Sequence, residues 1–115
     1  VKNKVVINKC FGGFHLSDAA CARLIELGAR YVRAATLEET TESVFGHKYL
    51  VEDYSIPRHD PLLIQVVEEL GEAASGDFSE LIVFEIEGNR YRIGEHDGAE
   101  SVYTPRDSYW ITIPE

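Results

Sequence analysis

The sequence predicts an α+β fold: two helices packed on one face of a mostly antiparallel sheet of about four to five strands. Three observations lead there. A β-branched run at residues 5–7 ends in a double glycine and a capped helix. A second helix with strong apolar periodicity opens at Asp60-Pro61. The last third alternates short apolar runs with glycine-bearing turns. The resulting order, βα, irregular, α, βββ, suits helices segregated on one face of an antiparallel sheet.

Val5, Val6 and Ile7 are shaped for a buried pleated surface, and Gly12-Gly13 lets the chain turn sharply after them. Ser17 stands where an N-cap is wanted, and Asp18 favours the positive end of the helix dipole. Ala20, Cys21, Leu24, Ile25 and Leu27 share one stripe, and Gly28 can close the helix in a left-handed cap. Residues 31–35 suggest a short second strand. Residues 36–60 are the least regular stretch, with acidic groups at Glu38, Glu39 and Glu42 and large apolar groups at Phe45, Tyr49 and Tyr54. Loops of such length inside a domain are commonly functional.

Asp60 caps the next helix and Pro61 takes its first position, where a missing N–H costs nothing. Leu63, Val66, Val67, Leu70 and Ala74 form its apolar face, and the helix is expected to end at Gly71 or at Ser75-Gly76. Residues 81–86 read as a strand that returns through a Gly88-Asn89 turn to 91–93. Asp97-Gly98 marks a second turn and 101–104 a third strand, with Tyr109 and Trp110 in the final apolar segment.

A chain of 115 residues with 44% hydrophobic content is expected to form a single globular domain over 1–115 with its own core. No apolar run approaches the ~20 residues of a membrane span. The opening VKNK is followed by too short an apolar run for a signal peptide. The expectation is a soluble cytoplasmic protein with no membrane partner. Twenty acidic against eleven basic residues give a net charge of −9, and the basic ones are scattered. That balance disfavours nucleic acid, whose binders need clustered Lys and Arg.

The chemical leads are few. Gly12, Gly13 and Ser17 place N–H groups at a helix start, the geometry of an anion site, but without the P-loop Lys-Ser/Thr or a GxGxxG spacing. The competing reading is a tight crossover anchored by Phe11 and Phe14. Cys10 with His15, His59 or His96 as base is the weak catalytic candidate. The histidines at 15, 47, 59 and 96 have no metal-ligand spacing, so neither metal nor cofactor is implied. Phe45, Tyr49, Tyr54, Tyr109 and Trp110 are residue types that anchor protein interfaces.

Three stretches also carry a likeness: KVVINKCFGGFHLS at 4–17, RHDPLLIQVVEELGEAASGDFSEL at 58–81 and IEGNRYRIGEHDGAESV at 86–102. With them the chain resembles a family of small, functionally uncharacterised proteins of bacteriophages, prophages and large DNA viruses. The resemblance implies a gene of a mobile or viral genome and brings no reaction with it. The tail keeps a Trp but lacks the His common in that family. The expected function is therefore that of a small acidic phage-type accessory protein, more a binder than an enzyme. It would bind a host or phage protein through residues 36–57 and the C-terminal aromatics, modulating host or defence machinery. The alternative is a small anion- or nucleotide-binding or hydrolytic domain built on the Cys10–Gly12–Gly13–Ser17 turn.

Overall fold

The computed structural model describes residues 2–38, 48–51 and 56–105, with Leu50 described by its backbone alone. The described elements run β1 (Lys2–Asn8), α1 (Asp18–Glu26), β2 (Val32–Ala34), β3 (Tyr49–Val51), α2 (Pro61–Leu70), β4 (Leu81–Glu87), β5 (Arg92–His96) and β6 (Ala99–Tyr103). The chain is α+β, and every ladder among the described residues is antiparallel.

Both helices begin and end where local chemistry dictates. The Ser17 hydroxyl accepts a hydrogen bond from the Ala20 amide at 3.1 Å, and the Asp60 carboxylate accepts one from the Leu63 amide at 3.1 Å. At the end of α1 the Gly28 amide donates to the Ile25 carbonyl and the Ala29 amide to the Leu24 carbonyl, a Schellman closure. The α-helical part of α2 stops at Leu70 and a 3-10 turn, Gly71–Ala74, follows. The expected stripe of α1 is narrower than its sequence suggests: Ala20, Cys21 and Leu24 are buried, whereas Ile25 is exposed.

The strands partition differently from a three-stranded C-terminal meander. β4 does not return onto β5 through Gly88-Asn89; it pairs with β1, in a register that sets Lys2 opposite Glu87 and Asn8 opposite Leu81. β5 and β6 form a separate hairpin about Asp97-Gly98, whose φ values of 49° and 91° are those of a type I′ turn. β2 pairs with β3, so the irregular middle stretch contains a strand. The described strands thus form three two-stranded ladders in place of one continuous sheet.

The reason lies at the free edge of β1. There the Val6 amide donates to the Arg58 carbonyl at 2.8 Å and the Asn8 amide to the Glu100 carboxylate at 2.8 Å. A loop and a side chain satisfy the edge that another strand would otherwise use. Val6 turns towards the helices and joins Ala20, Leu24, Leu63, Val66 and Leu81 in the core. Val5 and Ile7, on the other face of the strand, are fully buried as well.

Glu100 is itself held by Arg58 through paired bonds of 2.6 and 2.9 Å, with side-chain exposures of 7% and 19%. A bidentate pair this enclosed is expensive to break from one side, because the remaining charge is left in a poor solvent. Glu100→Ala should lower the unfolding free energy in urea by about 3–5 kcal/mol. Replacing both partners by apolar residues, Arg58→Met with Glu100→Leu, should cost less than the single change. A single substitution that costs under about 1 kcal/mol would show that the pair is not sealed from water.

Burial also gives the fold an alkaline weakness. Desolvation, reinforced by Asp18, pushes the Cys21 thiol up to about 12 from 9.0. Burial and the hydrogen bond to Asp60 push the Tyr31 hydroxyl up as well. Both groups are neutral in the fold and ionise more readily when unfolded. Their contribution is intact below about pH 9 and is lost as pH rises from there towards 12. Unfolding free energies measured in urea from pH 7 upwards should fall beyond pH 9, with a shallower slope in Cys21→Ala. An unchanged slope in that variant would assign the loss elsewhere.

Candidate functional site

The double-glycine loop sits where two backbone segments are zipped together. Beyond the last β1–β4 pair, the Lys9 amide donates to the Glu80 carbonyl, Leu16 bridges Ser75, and the Ser17 amide donates to the Ala74 carbonyl. Residues 10–14 are the excursion between these rungs, and 76–79 are the facing one.

Asn8 holds the excursion in place. It is fully buried. Its Nδ2 donates to the carbonyls of Cys10 and Gly98 at 2.7 and 2.8 Å. Its Oδ1 accepts from the Cys10 amide, the Ser79 hydroxyl and the Glu80 amide at 3.1, 3.1 and 2.8 Å. One side chain therefore gathers the 10–14 loop, the 76–80 loop and the β5–β6 turn. Nothing local in the sequence marks this role, since a polar residue ending an apolar strand usually marks its exit to solvent.

The glycines serve the same contact. A Cβ on Gly12 would collide with the carbonyl oxygen of Phe78 and stand 2.8 Å from its Cβ. One on Gly98, where φ is +91°, would collide with the Gly13 amide nitrogen and stand 2.7 Å from that of Gly12. The three turns meet backbone to backbone, which only glycine permits.

The residues of the anion reading are engaged in this framework. The Ser17 hydroxyl accepts from Ala20 and donates to the Ala73 carbonyl at 2.6 Å, and the Ser17 and Ala20 amides are bonded rather than free. The Cys10 thiol, partly exposed, donates to the Phe11 carbonyl at 3.7 Å. Among the described residues no imidazole nitrogen bonds it. His15 lies by Gly13, with its Nε2 3.6 Å from where a Cβ there would stand. His59 Nδ1 pairs with the Tyr91 hydroxyl at 2.7 Å, and burial raises the Tyr91 pKa. His96 contacts Asp97 at 3.5 Å on the open surface. No three His, Cys, Asp or Glu side chains converge as a metal site, among the described residues.

The aromatic candidates separate. Phe45, Tyr54, Tyr109 and Trp110 lie outside the described residues, as does His47. Tyr49 is half-buried against the core. Phe11 does not anchor the turn as the sequence suggests: it is 68% exposed. Phe14 alone takes that role, packed against the core with the Arg58 guanidinium 3.8 Å above its ring. Phe78, whose carbonyl and Cβ lie against Gly12, is 69% exposed and at φ 57°.

If the turns depend on this contact, Gly98→Ala should destabilise the protein by more than about 1 kcal/mol, since both φ and space oppose a side chain. Thermal and urea unfolding measure it. A change within about 0.5 kcal/mol would mean that the turns separate without cost.

Among the described residues no helix is long and apolar enough to cross a membrane. Comparison with protein-family models, with curated proteins and with solved structures finds no match for this chain.

Proposed function

We propose that this chain is a non-enzymatic accessory protein that binds a host or phage protein, with Phe11 and Phe78 as its anchor. The observation that carries the reading is their exposure on adjacent turns, 68% and 69%, over a backbone fixed by Asn8. Phenylalanine is enriched at protein interfaces, and a pre-organised backbone lowers the cost of ordering it on binding. Phe78 adds a second argument. A left-handed backbone at a non-glycine residue costs about 1–2 kcal/mol. The ring recovers little of that by burial, and strain kept at an exposed position points to use.

The net charge of −9 fits a partner whose apolar cleft is edged by basic residues. The resemblance to phage and viral proteins supplies the setting, in which binding would modulate host or defence machinery. Residues 36–57 and the C-terminal aromatics are proposed as further contacts for such a partner, and within the first of these stretches Leu37 is 86% exposed.

Capture from host lysate by the wild-type chain and by Phe11→Ser/Phe78→Asn, read by quantitative mass spectrometry, tests the proposal. Asn tolerates the left-handed backbone at residue 78, so the fold should persist, as a thermal melt would verify. A protein enriched by the wild type and lost from the variant is expected. No enrichment at micromolar bait, or equal enrichment by both, would sink the reading.

A further inference from the structure

The β5–β6 hairpin has two ends with opposite characters. Its turn is sealed against the glycine loop. Its open end borders a cleft of about 260 Å³ lined by Arg90, Tyr91, Arg92, Tyr103, Thr104 and Pro105. Among the described residues that lining contains two guanidinium groups and no carboxylate, on a chain with 20 acidic residues. Elsewhere on the described surface Lys2, Lys4 and Arg23 are each spent on a glutamate. No ion pair among the described residues engages Arg90 or Arg92.

The floor of the cleft is built rather than incidental. Arg92 and Tyr103 are register partners, and the Arg92 guanidinium carbon lies 5.3 Å from the centre of the Tyr103 ring. The ring lies over Gly94, where a Cβ would stand 2.7 Å from Cε2. Glycine at 94 is what lets the aromatic lie down on the strand. Tyr91 is fixed from behind by His59.

We propose that this cleft binds a nucleoside monophosphate, with the phosphate on Arg90 and Arg92 and the base against the Arg92–Tyr103 stack. Two guanidiniums match the charge of one phosphate monoester and its oxygen geometry. A guanidinium lying over an aromatic ring offers its outer face to a base and keeps its N–H edge for a phosphate. At about 260 Å³ the cleft is smaller than an enclosing ligand pocket, so a bound nucleotide would stay partly in solvent. The surrounding negative field opposes a longer polyanion, which selects a free nucleotide over a nucleic-acid strand.

Isothermal titration of the full chain at low salt tests the site with adenosine monophosphate, uridine monophosphate, adenosine, inorganic phosphate and a single-stranded oligonucleotide. At least one monophosphate should saturate at one per chain, with its nucleoside and inorganic phosphate weaker by about tenfold or more. Arg90→Gln/Arg92→Gln, at exposed positions, should melt like the wild type and lose about tenfold or more in affinity. Gly94→Ala should weaken the nucleotide but not inorganic phosphate. Failure of both nucleotides to saturate at millimolar concentration would overturn the proposal. So would unchanged affinity in the double variant, or tighter binding of the oligonucleotide than of either nucleotide.

Discussion

The carboxylate of Glu100 is the constraint on which the rest of the described structure depends. It lies 42 residues from Arg58 and 92 from Asn8, and bonds both. Through Arg58 it fixes the loop that leads into α2, and through the Asn8 amide it closes the edge of β1. Asn8 then carries the constraint outward to three turns. A charged pair of this kind stabilises little compared with apolar packing of equal volume, but it tolerates very few alternative arrangements. Here it defines which segments meet at the end of β1, and so where the glycine loop sits.

Two sites of contrasting chemistry follow from that placement. Where the hairpin turn meets the glycine loop, polar backbone is consumed internally and two phenylalanine rings face solvent. At the far end of the same hairpin, two arginines have no carboxylate partner among the described residues and lie beside an aromatic floor. The first suits an apolar protein partner and the second a small anion with a flat ring.

What the sequence made legible is what local chemistry decides. Ser17, Asp60-Pro61 and Gly28 mark helix ends through bonds made within a few residues, and they are found where the sequence places them. Strand partners were not legible in the same way. Gly88-Asn89 and Asp97-Gly98 are both competent turns, and β1, which claims β4, lies some 80 residues upstream. Phe11 looked like an anchor because a phenylalanine beside a tight turn usually is one. Its neighbour Phe14 takes the space under Arg58, a position that exists only once Glu100 has placed that arginine. Asn8 and Glu100 gave no signal, since buried polar residues are distinguished by partners far away in sequence.

Native-state hydrogen exchange tests this account most directly. If the network closes the β1 edge and locks the glycine loop, the amides of Val6, Asn8 and Cys10 should exchange only by global unfolding, as slowly as the core amides of the β1–β4 ladder. Rapid exchange at Asn8 and Cys10 while that ladder stays protected would mean that the loop opens on its own. The carboxylate would then be a passenger of the fold and not its organiser.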